Sequence, residues 1–127
     1  MKNPDNLKYS KSHEWVLIEG DTATMGITEF AVSQLGDVTL VELPEPGEEV
    51  KAGDAMGTIE SVKAVSDLYS PVTGKVIAIN TDLEDDPEKV NDDPYVEGWM
   101  AKIELTSDNF DNLMDSSQYD EYLDSLD

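Results

Sequence analysis

The stretch from Gly57 to Val76, G-T-I-E-S-V-K-A-V-S-D-L-Y-S-P-V-T-G-K-V, constrains the fold more than any other part of the chain. Two β-rich runs, Thr58 to Val62 and Ala64 to Tyr69, flank Lys63, and Ser70-Pro71 and Thr73-Gly74 then supply turn chemistry. A lysine between two such runs reads as the tip of a β-hairpin. At a tip the ε-amine projects into solvent and the backbone around it is open to a modifying enzyme, whereas a mid-strand lysine would lie along the sheet face. The tip holds neither Asn-Gly nor Asp-Gly, so its turn type is left open. Most surface lysines are merely solvated; the flanking runs set this one apart.

The rest of the chain continues the pattern of short strands. Residues 1 to 10 are polar. His13 to Ile18, H-E-W-V-L-I, and Thr22 to Gly26 read as a hairpin across Glu19-Gly20-Asp21. Thr28 can cap a short helix, Glu29 to Leu35, that Gly36 stops. Val38 to Leu43 is strongly β and alternates only in part, which predicts a central strand. Pro44, Pro46 and Gly47 end it, Val50 lies in a short extended piece, and Gly74 to Ile79 is the next strand. Pro46-Gly47-x-x-Val50 and Pro71-x-x-Gly74-x-Val76 form a faint internal echo on either side of the lysine. Gly98 to Leu105 is a final strand with Trp99, Ala101, Ile103 and Leu105 on one face and Trp99 in the core.

Charge separates the last third from the rest. Eight lysines, no arginine and 29 acids give −21, and from residue 82 onward 16 acids stand against two lysines, which is −14 of that total. Asn80 to Pro94 is an acidic excursion in which Asp86-Pro87 can open one helical turn. Its acids lack the D-x-D-x-D-G-x₅-E order of a calcium loop, so no metal is expected there. Ser107 or Asp108 can cap a helix holding Phe110, Leu113 and Met114, and Ser116 or Ser117 another carrying Tyr119, Tyr122, Leu123 and Leu126.

These features bound the function. Phosphates would be repelled, so nucleic acid and anionic membrane are poor partners and basic protein surfaces are good ones; the same charge favours a soluble monomer. At 127 residues, 39% of them hydrophobic, the chain reads as one domain (1–127), its core about 7–105 and a helical segment about 107–126. No apolar run approaches the roughly 20 residues of a membrane span and the N-terminus is not signal-like. The cytoplasm is the expected compartment, or the mitochondrial matrix where a leader has been removed. Without cysteine there is no thiolate or disulfide, and one histidine makes no metal cluster. No catalytic motif is present, so any reactive group must be attached, and Lys63 is the place for it.

The residues E-S-V-K-A, Glu60 to Ala64, resemble the lipoylation site of glycine cleavage system H proteins, with Val62 where biotinyl carriers have methionine and many lipoyl domains aspartate. The resemblance runs from about Leu7 to Leu123. It includes K-Y-S-K-S-H-E-W-V at Lys8 to Val16, V-E-L-P-E-P-G at Val41 to Gly47, and N-D-D-P-Y-V-E-G-W-M-A-K-I at Asn91 to Ile103. It implies a mainly β, lipoyl/biotinyl-type flattened β-barrel, or barrel-sandwich hybrid, with short helices including a C-terminal one.

The resemblance also implies a carrier rather than an enzyme. Lipoate attached to Lys63 would take the aminomethyl group of glycine from the pyridoxal-phosphate glycine decarboxylase to the aminomethyltransferase, and dihydrolipoamide dehydrogenase would reoxidise it. It implies that the lipoyl-attaching enzyme reads Glu60, Asp67 and Gly74, although the family commonly has Glu at the position of Asp67. A turn glycine often holds a backbone angle that other residues resist, which gives Gly74 a physical reason of its own. It further implies an arm cleft contacted by Ser12, Glu14, Asp67 and Ser70. His13 reads as structural. Two alternatives differ in class: an H-like lipoyl carrier in lipoate relay or sulfur metabolism, and an unmodified acidic binding module.

Overall fold

In the computed structural model, which describes residues 3–107 and 110–126, nine strands and four helices alternate along the chain. They are β1 (Lys8–Tyr9), β2 (Glu14–Glu19), β3 (Thr22–Ile27), α1 (Glu29–Leu35), β4 (Val38–Glu42), β5 (Glu49–Val50), β6 (Ala55–Ser61), β7 (Val65–Tyr69), β8 (Gly74–Ile79), α2 (Asp82–Asp85), α3 (Lys89–Asp92), β9 (Ala101–Leu105) and α4 (Ser116–Ser125). A six-stranded sheet has the order β1-β2-β3-β9-β8-β5 and a three-stranded sheet the order β4-β6-β7, with antiparallel pairing throughout. Val16, Met25, Val76 and Ile103 from the first sheet share one buried cluster with Val41, Ile59 and Leu68 from the second. The strands alternate as half-buried strands must: in β9, Ala101 and Ile103 are buried while Lys102 and Glu104 are exposed. The result is the mainly β, flattened two-sheet arrangement expected, with the sheets not closed into a continuous barrel.

The faint echo is a physical pairing. Val50 lies opposite Gly74 and Glu49 opposite Lys75, and the Gly47 N–H donates to the Val76 carbonyl at 2.7 Å. The Glu29–Leu35 helix forms as read, with the Thr28 hydroxyl accepting from the Ala31 N–H and the Gly36 N–H returning to the Val32 carbonyl.

Several readings need correction. β4 is an edge strand and β6 the central one; Leu40, 38% exposed, lies on the solvent face and made the run look apolar on both sides. The acidic excursion forms two helical turns rather than one, α2 and α3, and delivers Leu83 and Val90 to the core. No helix spans Phe110 to Met114: a turn closes from Leu113 N–H to the Phe110 carbonyl, and Met114 exchanges both backbone bonds with Tyr9, at 2.8 and 2.7 Å. Asp108, one of its two suggested caps, lies outside the described residues. Finally, α4 is capped by Asp115, not by a serine. The Asp115 carboxylate accepts from the Gln118 N–H at 2.8 Å and the Gln118 amide oxygen accepts from the Asp115 N–H at 2.9 Å.

Trp99 precedes β9 and sits outside the main core. It packs, half-buried, against a second cluster of Leu7, Tyr9, Trp15 and Tyr119, with the Lys102 ammonium 5.4 Å from its ring centre.

Gly74 is required for a different reason than a turn angle. It sits in β8 without a left-handed φ, and a Cβ there would lie 2.2 Å from the Glu104 carbonyl oxygen. That oxygen belongs to the neighbouring strand's backbone, so the sheet itself must move. Gly74→Ala is therefore expected to destabilise the protein by about 3 kcal/mol, the upper end for overpacking, as read from the midpoint of a denaturant melt. An unchanged midpoint would show that β8 and β9 have room to separate.

Candidate functional site

Lys63 occupies the tip between β6 and β7, and one serine builds that tip. The Ser61 hydroxyl accepts from the N–H groups of Lys63 (3.3 Å) and Ala64 (3.1 Å) and donates to the Ala64 carbonyl (3.2 Å), while the Ser61 N–H closes on the same carbonyl at 2.8 Å. A side-chain hydroxyl thus does what a glycine or asparagine turn would do, which answers the turn type the sequence left open. Ser61 was not singled out from the sequence, although a serine opening a three-residue connection is a readable signal. Lys63 is exposed, and beside it Val62 and Val65 are 70% and 66% exposed.

The cross-strand register sorts the recognition residues. Leu40, Glu60 and Val65 lie opposite one another, and so do Glu42, Thr58 and Asp67, two positions further along the same pleat. Glu60 and Asp67 therefore share the outer face of the three-stranded sheet with Leu40 and Val65, next to the lysine. Gly74 is buried in the other sheet, away from this face.

A second locus centres on Glu14, the first residue of β2, which is only 2% exposed. Its Oε1 accepts from the hydroxyls of Ser10 (2.6 Å) and Ser12, and its Oε2 from the Tyr69 N–H at 3.4 Å. Burial raises its pKa to about 7, and those hydrogen bonds only partly offset the rise. Next to the two serines opens a cavity of about 420 Å³, lined among others by Ser10, Ser12, Gly53, Ser70, Asp111 and Asn112; Glu14 does not line it and is joined to it only through the Ser10 and Ser12 hydroxyls. Ser70 is buried and commits its hydroxyl to the Val72 carbonyl at 2.6 Å, so it shapes the wall.

The structure thus places Ser12 and Ser70 on the cavity wall, adds Ser10, holds Glu14 behind the hydroxyls of Ser10 and Ser12, and leaves Asp67 off the cavity, its carboxylate accepting from the Tyr69 hydroxyl at 3.4 Å. Sequence reasoning passed over Ser10; only the S-x-S-x-E spacing hinted at it. His13 is tied up beside this locus. Its Nδ1 meets the Tyr119 hydroxyl at 2.8 Å, its ring packs on Phe30, and burial lowers its pKa, as a structural histidine requires.

Chemically, the cavity presents the hydroxyl residues Ser10 and Ser12 and the acid Asp111, with the Glu14 carboxyl, its pKa raised to about 7, bonded to the two hydroxyls. It can hold a protonated amine through charge-assisted hydrogen bonds. Among the described residues no group of three or more His, Asp or Glu side chains could hold a metal ion. Likewise, no helix there is long and apolar enough to cross a membrane.

Comparison with known proteins agrees over nearly the whole length. A family profile described as Glycine cleavage H-protein matches residues 7–126. The chain is 52% identical over 124 residues to a glycine cleavage system H protein of Staphylococcus haemolyticus, covering 97% of this chain and 98% of that one. It is 54% identical over 120 residues to one of Symbiobacterium thermophilum, covering 94% of each. The crystal structure of a glycine cleavage system H protein from Mycobacterium marinum superposes with a TM-score of 0.87 at 38% identity and 98% coverage of both chains.

Proposed function

The chain belongs to the glycine cleavage H-protein family, and from that premise we propose that it carries the aminomethyl group of glycine on a lipoyl group attached to Lys63. It is a carrier subunit of that system rather than its catalyst. The observation that supports the attachment site most directly is the exposed lysine held at a hairpin tip by Ser61. The residues present fit the group: the tip is open, and a cavity of about 420 Å³ lined by Ser10 and Ser12, whose hydroxyls bond the Glu14 carboxyl, suits the amine end of a loaded arm. When bound, the lipoyl group supplies a disulfide that the cysteine-free chain lacks, and tethering raises its effective concentration in partner active sites. Ser61 holds the attachment point out, while Ser10, Ser12 and Glu14 take the charged end of the cargo. The single unit 1–127 works as a monomer. Its partners are glycine decarboxylase, aminomethyltransferase, dihydrolipoamide dehydrogenase and a lipoyl-attaching enzyme, and its bacterial relatives support the cytoplasm as its compartment.

Intact mass with peptide mapping tests the attachment. One lipoyl mass on Lys63 is expected, moving the formal charge from −21 to −22 as one cation becomes an amide. Lipoyl mass on another lysine overturns the site. Lipoylated protein that supports no glycine turnover with the reconstituted partners overturns the role and points to an H-like carrier of another pathway.

The attaching enzyme reads Glu60 and Asp67 on the face they share. Glu60→Gln and Asp67→Asn are expected to raise the KM of lipoylation a few-fold each, as for rim charges worth up to about 1 kcal/mol, with circular dichroism unchanged. Equal KM values would remove both from recognition. Gly74→Val tests the packing of β8 instead, so a slow rate there would not separate recognition from unfolding.

A further inference from the structure

Asn91, half-buried in α3, faces the loop between α1 and β4. Its Nδ2 donates to the Gly36 carbonyl at 2.8 Å and its Oδ1 accepts from the Val38 N–H at 2.9 Å. One amide therefore grips Asp37 from both sides, and it satisfies a carbonyl orphaned at a helix end and an N–H that precedes strand pairing. Between those grips, the Asp37 carbonyl accepts from the N–H of Val62, the residue before the lysine, at 3.1 Å.

The lysine side chain meets the same loop. Gly36 has φ +76°, and a Cβ placed there would lie 3.4 Å from Lys63 Cε and 3.6 Å from Cδ. The methylene stem therefore lies alongside the Gly36 backbone at ordinary contact distance, and the left-handed φ is what calls for glycine there. Residues far apart in sequence thus form one stack: Asn91 fixes the loop, the loop takes the tip N–H, and Gly36 takes the stem.

We propose that Asn91 is a positioning residue for the attachment lysine, fixing the Gly36–Val38 loop as a shelf that aims the root of the arm. The acidic excursion thereby gains a task besides burying Leu83 and Val90. The inference rests on Lys63 being the lipoyl site. Without the clamp the Asp37 carbonyl shifts, the Val62 N–H loses its partner, and the ε-amine spreads over more orientations, fewer of them productive. Docking through Glu60 and Asp67 is untouched, so the effect belongs in kcat rather than KM.

The experiment uses the full-length unmodified protein with Asn91→Ala and, separately, Asn91→Asp, which keeps an acceptor for the Val38 N–H but has no donor for the Gly36 carbonyl. Two readouts are taken: amide hydrogen exchange at Val62 against Val76 as a distant reference, and the kcat and KM of lipoylation. Asn91→Ala is expected to speed exchange at Val62 but not at Val76, and to lower kcat roughly tenfold at constant KM. Asn91→Asp is expected to lower kcat by a smaller factor, with half of the clamp in place, which preserves the test if Asn91→Ala unfolds by circular dichroism. Faster Val62 exchange with kcat unchanged in both variants would overturn the positioning role and leave the clamp structural. Unchanged exchange and kcat would overturn the shelf itself. If the wild type takes no lipoyl group at Lys63, the carrier reading falls, while Val62 exchange still decides whether Asn91 orders the tip.

Discussion

A Lys63→Arg protein is expected to fold and melt as the wild type does, yet to support no glycine turnover. The tip does not depend on the lysine side chain: Ser61 bonds the backbone N–H groups of Lys63 and Ala64, and Val62 bonds the Asp37 carbonyl. The side chain itself is exposed, and surface substitutions of this kind stay within about 0.5 kcal/mol. Arginine keeps the positive charge and an alkyl stem to lie over Gly36, so docking and electrostatics are preserved. Its guanidinium stays protonated and has no free electron pair for acylation at neutral pH.

Nor, among the described residues, does another lysine stand ready to substitute. Lys75 and Lys102 lie within strands of the six-stranded sheet, Lys8 lies in the short β1, and Lys89 is 3.6 Å from Asp82. Lys11 and Lys51 are in turns, but not turns between the long strands of a hairpin. Intact mass, a thermal melt and reconstituted glycine turnover check the prediction together. Turnover that persists in Lys63→Arg would show that the cargo travels on some other group.

What was legible in the sequence was what local pattern determines. The final strand follows from period-two alternation, although it was read from Gly98 and begins at Ala101, α1 from Thr28 and Gly36 at its ends, and the lysine hairpin from the two β runs that flank Lys63. What was missed depends on partners distant in sequence. Phe110, Leu113 and Met114 have helical spacing, but the backbone of Met114 is taken by Tyr9, and that bridge outcompetes the local preference. Leu40 reads as core by type, yet the pleat that buries Val41 turns Leu40 outward.

The site divides in the same way. Lys63 was legible because its exposure follows from the hairpin alone. The Glu14 locus was reached through resemblance, since nothing local says that a glutamate opening a strand will be buried beneath two serines. Asn91 was unreadable as a clamp, because its partners, Gly36 and Val38, lie more than fifty positions away in sequence. Asp67, expected in the cleft, sits instead on the outer face with Glu60, where strand register puts it.

Glu14→Gln is expected to make the protein more stable above neutral pH and a poorer holder of its cargo. Burial raises the Glu14 pKa from 4.5 to about 7 in the folded state. Between those values the folded protein holds a proton that the unfolded chain has released, so stability falls as pH rises through this window, and the loss is complete above about 7. The size is on the order of 3 kcal/mol. Glutamine keeps an acceptor for Ser10 and Ser12 but cannot ionise. The variant should therefore match the wild type near pH 4 and exceed it by about 2 to 3 kcal/mol near pH 8, since the other 28 acids act alike in both proteins. Denaturant melts across that range measure the difference, and parallel curves would mean that Glu14 is not buried as an acid.

A residue that costs the fold this much at working pH has a use when a cation arrives. The protonated amine of the cargo would pair with the carboxylate beside the cleft by displacing the serine hydroxyls that cover it, and a charge-assisted hydrogen bond there contributes about 1.5 to 3 kcal/mol. Release of the aminomethyl group from isolated loaded protein should therefore be roughly ten- to hundredfold faster in Glu14→Gln. Asp67→Asn should change it at most a few-fold, because an exposed acid off the cavity contributes about 0 to 1 kcal/mol. Retention in the wild type should also strengthen as pH rises through about 7 and Glu14 ionises, while Glu14→Gln should lose that dependence. Equal release from all three proteins would place the cargo somewhere other than this cleft.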